Sequence, residues 1–270
     1  MFIDLGKLCL HYQQELSKNP SKNNFVFINS LGSDFRIWQG VVKALQAQGD
    51  YNCLCYDKRG HGLSDSLPAP YQIQDHSEDL RALLEALKIE NAILIGISVG
   101  GMIALDAARR FPEKLKAIIP CDTGAKIGNF EGWQERIALV SSKGLAHIAP
   151  NVAERWFSQG FSQKDKATFH GYLNMLSRSH PEGYLGTCAA LRDADLRDAD
   201  LREAVQHIQL PALILCGEED SSTPPSLSQE LQKLIAHAEL KLIPKTGHLP
   251  CIEKPEEMAT YIHDFVSRLG

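Results

Sequence analysis

Six short apolar runs, separated by turn signals, constrain the fold of this chain more than any other feature. Between them lie segments with apolar residues at helical spacing, such as Leu80, Leu83, Leu84 and Leu87. Strands that alternate with helices in this way predict a mainly parallel sheet flanked by helices. The six predicted strands cover residues 25–28, 52–56, 92–96, 117–121, 212–216 and 239–243.

The first segment of the chain adds two more strands. From Phe2 to Glu15, Gly6 and Lys7 separate two half-apolar stretches, which is the pattern of an antiparallel hairpin at the edge of a sheet. We therefore predict an α/β fold with an eight-stranded, mostly parallel sheet.

Residues 124–207 depart from this alternation. Roughly eighty residues pass without a convincing strand, which is well beyond an ordinary connection length. The segment has helical patterns instead, and these include Trp133 and Trp156. We therefore predict a core built from residues 1–123 and 208–270. A helical cap, residues 124–207, is inserted after the sixth strand and folds over the carboxyl edge of the sheet.

A short repeat closes the predicted cap. The sequence Leu-Arg-Asp-Ala-Asp occupies residues 191–195 and again residues 196–200, and Leu201-Arg202-Glu203 begins a third copy. A period of five residues fits neither a helix nor a strand. We interpret the repeat as a small surface duplication without a function of its own.

Ser98 is the candidate nucleophile. It lies in Gly96-Ile97-Ser98-Val99-Gly100, a G-x-S-x-G motif directly after an apolar run and directly before a helical pattern. A sharp turn between strand and helix lifts the serine hydroxyl clear of the sheet, and it requires small residues on both sides. The hydroxyl then lies near the helix N-terminus, whose amides favour developing negative charge.

His248 is the candidate base. Enzymes with this serine turn carry serine, acid and histidine in that chain order. Of the ten histidines, only His248 has the correct order and a loop at the end of a strand, directly after the last apolar run.

Asp220, in the loop after the fifth apolar run, is the preferred acid. Its carboxylate would accept the His248 Nδ1–H, hold the tautomer and stabilise the imidazolium. Asp122, after the fourth run, is the other serious candidate, and the neighbours Glu218 and Glu219 remain open.

Two backbone N–H groups are the candidate donors to an oxyanion. One belongs to Val99, next to the nucleophile. The other comes from the loop Asn29-Ser30-Leu31-Gly32 after the first core strand, with Leu31 as the donor. Small residues in that loop let the backbone approach closely.

Together these segments resemble the 3-oxoadipate enol-lactonases, a family with the α/β-hydrolase fold. Most α/β-hydrolases begin the first loop with His-Gly, and Asn29-Ser30 is the departure typical of the enol-lactonases. The resemblance covers nearly the whole chain, although the second copy of the pentad is a departure. It is carried by residues 29–32 with Trp38, 56–64, 96–100, 125–128 with Trp133 and Arg136, 191–196 and 247–255.

The resemblance implies a hydrolase that opens 3-oxoadipate enol-lactone to 3-oxoadipate through an acyl-enzyme, in the β-ketoadipate pathway of aromatic catabolism. No metal and no organic cofactor would be needed, and the partner is a small-molecule lactone or ester. Because the substrate is an anion, a cationic group should receive its carboxylate. Trp133 is a candidate pocket wall, and Arg136, Arg192 and Lys126 are candidate carboxylate ligands.

Two other classes of function remain as alternatives. A broader carboxylesterase or a carbon–carbon bond hydrolase would use the same triad, since the triad sets the chemistry and the cap sets the substrate. A non-catalytic receptor with the same fold is disfavoured, because Ser98, Asp220 and His248 are all present.

Composition excludes several other functions. The net charge is −5 and there is no basic run, which argues against nucleic acid and anionic membranes as partners. No apolar stretch is long enough to span a bilayer, and the N-terminus does not look like a signal peptide. The seven cysteines are scattered, mostly within apolar runs, as expected for free thiols in a reducing compartment. We therefore predict a cytoplasmic protein.

Overall fold

A computed structural model describes residues 1–18, 23–193 and 200–269. Within these residues, eight strands form one sheet. The strands are β1 Phe2–Asp4, β2 Cys9–Glu15, β3 Asn24–Ile28, β4 Asn52–Tyr56, β5 Ala92–Ile97, β6 Leu115–Cys121, β7 Ala212–Gly217 and β8 Ala238–Ile243. Their spatial order is β1-β2-β4-β3-β5-β6-β7-β8.

The sheet is parallel from β4 to β8, and the antiparallel hairpin of β1 and β2 forms one edge. Every residue of β5 and β7 is buried, because interior parallel strands are covered on both faces. This burial explains why the strands are continuous apolar runs rather than alternating patterns. The predicted eight-stranded, mostly parallel fold is confirmed.

Helices flank the sheet. The helices of the core are α1 Gln39–Gln48, α2 Ile73–Ala86, α3 Val99–Arg110, α9 Pro225–Leu234, α10 Pro250–Glu253 and α11 Pro255–Ser267. Among them, α1 packs against α11 and α2 packs against α3, and α3 also contacts β5 and β6.

Between β6 and β7 the chain forms a helical insertion without a strand among its described residues. Its helices are α4 Phe130–Lys143, α5 Leu145–Trp156, α6 Phe161–Lys164, α7 Lys166–Ser177 and α8 Pro181–Arg192. α4 packs against α8 and α5 against α7. The limits of the predicted cap stay a prediction, as does the role of the pentad repeat, of which residues 194–199 lie outside the described residues.

The helical insertion is pressed closely against the core. A Cβ atom on Gly183, in α8, would lie 2.0 Å from the carbonyl oxygen of Gly60, in the turn after β4. Only glycine permits this approach. Trp156 and Tyr184 of the insertion belong to the same apolar core cluster as the strands, so the insertion is held in one position over the sheet.

Candidate active site

Ser98 is the single residue between β5 and α3, and its backbone is strained. It has φ 58° and ψ −123°, a conformation that costs a non-glycine residue about 1–3 kcal/mol. Hydrogen bonds on both sides hold it there. Its N–H donates to Cys121 O at 2.9 Å, and its carbonyl accepts the hydroxyl of Thr123 at 2.7 Å and the N–H of Gly101 at 2.9 Å.

The two glycines of the serine motif are required by close backbone contacts. A Cβ atom on Gly96 would lie 2.1 Å from the carbonyl oxygen of Gly100. A Cβ atom on Gly100 would lie 2.5 Å from the carbonyl oxygen of Ile28, in β3. Because real Cβ atoms do not approach so closely, the motif reflects the packing of α3 against the strand ends.

His248 and Asp220 lie in the loops that follow β8 and β7, and both are buried. The distance from His248 Nδ1 to Asp220 Oδ2 is 2.8 Å. The other carboxylate oxygen, Oδ1, accepts the N–H of Ser222 at 2.7 Å and the N–H of Thr223 at 3.0 Å. Burial raises the pKa of Asp220, but the positive charge of protonated His248 and these hydrogen bonds outweigh it and hold the pKa below its ordinary value. Asp220 is therefore a carboxylate that can accept a hydrogen bond from the Nδ1–H of His248.

Asp122 lies near Asp220 and His248, but its pKa is shifted in the opposite direction to that of Asp220. Burial and the charge of Asp220 raise its pKa well above the ordinary value, which favours the neutral, protonated form. Its Oδ1 accepts the N–H of Gly217 at 2.8 Å, and it makes no hydrogen bond to His248 among the described residues. Glu218 and Glu219 are exposed. The structure thus places Asp220, rather than the other three acids, against His248.

Asp122, Cys216 and Asp220 bring three potential metal donors within 4.8 Å of one another. The chemistry of these groups does not fit a resident ion. Burial raises the pKa of both Asp122 and the Cys216 thiol, and metal ligands must be deprotonated. Asp220 already accepts hydrogen bonds at both oxygens.

The loop that carries His248 is fixed by a second acid, Glu253. Its carboxylate accepts the N–H of Gly247 at 2.8 Å and both the N–H and the hydroxyl of Ser158, which belongs to the helical insertion. Leu249 N–H donates to Trp156 O at 3.0 Å. Glu253 belongs to no motif of the sequence, because the two backbone amides and the hydroxyl that it accepts are brought together only by the fold.

Ser98 and His248 open into one cavity of about 270 Å³ beneath the helical insertion. The predicted residues Leu31, Trp133 and Arg136 line it, and Val99 is buried at the start of α3. A larger groove of about 690 Å³, beside His11 and Tyr172, contains none of the predicted site residues.

The cationic residues divide between the cavity and other surfaces. Arg136 lines the cavity, donates to the Tyr184 hydroxyl at 3.0 Å, and lies 5.9 Å from the centre of the Trp133 ring. Arg155, which the sequence did not single out, also lines it. Two further candidates, Arg192 and Lys126, are not among the lining residues, and Arg192 is paired with Asp193 at 2.7 Å.

Residues 23–255 match the family model of the alpha/beta hydrolase fold. The chain belongs to this family. It is 36% identical to 3-oxoadipate enol-lactonase 2 of Acinetobacter baylyi, over 86% of this chain and 84% of that protein. The identity to 3-oxoadipate enol-lactonase 1 of the same organism is 34%, over 90% of this chain and 88% of that protein.

Among solved structures, the enol-lactonase from Burkholderia xenovorans LB400 superposes with a TM-score of 0.93 at 28% identity, covering 99% of this chain and 100% of that one. The predicted resemblance to the enol-lactonases is therefore confirmed. This alpha/beta hydrolase is a carboxylic ester hydrolase. In the described part of the chain, no helix has the length and apolar character needed to cross a membrane.

Proposed function

We propose that this alpha/beta hydrolase opens 3-oxoadipate enol-lactone to 3-oxoadipate through an acyl-enzyme on Ser98. The observation that carries the proposal is a pair of arginines, Arg136 and Arg155, among the residues that line the cavity that contains Ser98 and His248. Neither guanidinium forms an ion pair with a described residue, whereas Arg192 outside the cavity is paired with Asp193. The cavity therefore suits a small ester or lactone that carries a carboxylate.

The first step is attack of Ser98 Oγ on the ring carbonyl. His248 Nε2 takes the serine proton, while Nδ1–H donates to Asp220, which stabilises the imidazolium. The ring C–O bond then breaks, and the leaving enolate takes the proton from the His248 imidazolium and ketonises. Water, activated by His248, attacks the acyl-enzyme in the second step and releases 3-oxoadipate.

The negative charge of the tetrahedral intermediate would be met by the N–H groups of Leu31 and Val99. Neither N–H donates to another group in the described parts of the chain. Val99 is the first residue of α3, so the partial positive charge of the helix N-terminus adds to the donor. Preorganised donors of this kind typically provide a large share of the rate enhancement.

The substrate carboxylate is assigned to Arg136 and Arg155. A charge-assisted hydrogen bond to a carboxylate is about twice as strong as a neutral one, and the Tyr184 hydroxyl leaves the charge of Arg136 uncompensated. Both arginines belong to the helical insertion, at α4 and α5. We propose that this insertion, as the predicted cap, selects the substrate, while the strand ends supply the chemistry.

Two measurements test the function. Turnover of the enol-lactone is compared with turnover of short-chain uncharged aryl esters, and a preference of orders of magnitude for the aryl esters would favour a general carboxylesterase instead. Ser98→Ala should lose at least a thousandfold in kcat on every substrate. A Ser98→Ala protein with full turnover would eliminate any serine-based mechanism.

The carboxylate assignment is tested with a matched set of arginine variants. Arg155→Met and Arg136→Met should raise KM for the enol-lactone about tenfold or more, because each removes one charge-assisted contact. KM for an uncharged ester should change less than threefold. Arg192→Met is the control, since its charge is paired outside the cavity. An equal rise of KM in all three variants would show a general electrostatic effect rather than a carboxylate site.

A further inference from the structure

Lys58, in the turn after β4, is a buried amine without a carboxylate partner among the described residues. Its side chain is among the largest fully buried ones, with 1% of the residue exposed. Burial of an ammonium group is costly, and it lowers the pKa of Lys58 well below the ordinary value. Nζ donates one hydrogen bond, to the carbonyl oxygen of Ser30 at 2.7 Å. An apolar side chain would fill this position without the free-energy cost of burying an amine, so the hydrogen bond from Lys58 Nζ to Ser30 O needs an explanation.

The Ser30 carbonyl oxygen receives an unusual number of donors. Besides Lys58 Nζ, the hydroxyl of Ser33 donates at 3.1 Å, the side-chain amide of Asn29 at 3.3 Å and the N–H of Ser33 at 3.4 Å. A carbonyl oxygen has two lone pairs, so Lys58 is not needed to satisfy it. Its contact is nevertheless the shortest of the four.

The Ser30 carbonyl belongs to the same peptide unit as the Leu31 N–H. The unit is planar, and in its trans form the C=O and the N–H point in opposite directions. Donors that fix the oxygen therefore also fix the direction of the N–H. They withdraw electron density through the amide as well, which makes the N–H a stronger donor. Ser30 and Leu31 both line the cavity that contains Ser98.

We propose that Lys58 is a positioning residue for the oxyanion site: its Nζ holds and polarises the Ser30–Leu31 peptide so that the Leu31 N–H meets the developing negative charge. The proposal rests on the proposed function, because it needs an oxyanion at this place. Lys58 also holds Asn29, the residue before Ser30, because the backbone N–H of Lys58 donates to Asn29 Oδ1 at 3.2 Å. Nζ has N–H donors in either protonation state, so the contact does not depend on a charged amine.

Lys58→Met tests the proposal, because methionine keeps the unbranched stem and removes the donor. A purely structural lysine would give unchanged kinetics and unchanged or higher stability, since replacing a buried ionisable group with an apolar one is often neutral or stabilising. The proposal instead expects kcat to fall about tenfold with KM within twofold. This loss is smaller than the hundredfold or more caused by removing an oxyanion donor outright. Affinity for a boronic acid, which forms a tetrahedral adduct on Ser98, should fall by the same factor, while inhibition by 3-oxoadipate should not change.

Two further variants keep the test decisive. Ser33→Ala removes another donor to the same oxygen and should lower kcat two- to fivefold, so it decides the matter if Lys58→Met does not fold. Ser77→Ala is the control: its buried hydroxyl donates to Asp106, away from the cavity. It should lower stability and leave kcat unchanged.

The proposal is overturned if Lys58→Met, or Ser33→Ala in its place, keeps the wild-type kcat, or if the loss is in KM alone. Failure of the proposed function is recognised by other measurements, namely the substrate preference of the wild-type enzyme and the activity of Ser98→Ala. If the wild-type enzyme prefers an aryl ester to the lactone, the same variants are measured on that ester, because every acyl substrate of Ser98 forms an oxyanion. If Ser98→Ala retains turnover, the serine mechanism and the role of Lys58 both fail.

Discussion

Replacement of Asp220 by asparagine should disable His248 by changing its tautomer. In the wild type, the N–H groups of Ser222 and Thr223 point at Oδ1, and His248 Nδ1 lies 2.8 Å from Oδ2. In Asp220→Asn the two backbone donors fix the amide oxygen at the Oδ1 position. The NH₂ group must then face Nδ1, which has to become an acceptor. Nε2 consequently carries the proton and cannot take one from Ser98.

The expected loss in kcat is about 10³–10⁴-fold, which corresponds to about 4–5 kcal/mol of transition-state stabilisation. KM should stay within threefold, because Asp220 does not line the cavity. The assay is steady-state hydrolysis of the enol-lactone. Circular dichroism and thermal unfolding would show that the variant keeps the fold.

Asp122→Asn is the matched control, because Asp122 was the alternative acid on sequence grounds. Its Oδ1 accepts the Gly217 N–H, and burial and the charge of Asp220 raise its pKa, which favours the neutral form. An amide preserves that arrangement, so kcat should change less than threefold. If Asp122→Asn loses a thousandfold while Asp220→Asn stays within tenfold of wild type, the assignment of the acid is reversed.

Three other perturbations have defined outcomes. The raised pKa of Asp122 means that the folded state holds a proton which the unfolded state releases above about pH 4, so stability falls as pH rises. Asp122→Asn should therefore flatten the pH dependence of the free energy of unfolding above about pH 4, where the unfolded carboxyl loses its proton, and an unchanged slope would contradict this. Gly100→Ala should cost about 3 kcal/mol or more in urea unfolding, because its Cβ would lie 2.5 Å from Ile28 O; a loss below about 1 kcal/mol would contradict the close contact. Iodoacetamide should label the native protein only at Cys9, the one cysteine that is not buried, and all seven cysteines after unfolding, as read by mass spectrometry. Labelling of any buried thiol at a comparable rate in the native state would contradict the packing.

The sheet was predictable from sequence because interior parallel strands are buried on both faces. Each therefore appears as an unbroken apolar run, and β5 was identified within one residue of its observed end. The serine turn was predictable because its motif is local: Gly96 is dictated by a contact with Gly100 within one strand–turn–helix unit, although Gly100 is dictated by the end of β3. The spatial order of the strands was not predicted, because it depends on pairings between residues far apart in the chain.

The cationic residues of the helical insertion show where prediction from sequence ends. From the sequence, Arg136 and Arg192 were equally good candidates for binding the substrate carboxylate, and Arg155 was not predicted to take part. A helical pattern distinguishes an apolar face from a polar one, but it does not say which polar residue borders a cavity and which borders solvent. That distinction depends on how α4, α5 and α8 pack over the strand ends.

The sequence by itself determined the fold class, the strained turn that carries Ser98 and the two loops that carry Asp220 and His248. These features follow from local packing and from chain order, which the sequence records directly. Only the tertiary structure decided that Asp220 rather than Asp122 contacts His248, that Arg136 and Arg155 border the cavity, and that Lys58 is buried behind the Ser30–Leu31 peptide. Each of these is a contact between elements distant in the chain, and its geometry is set by the packing of the whole domain.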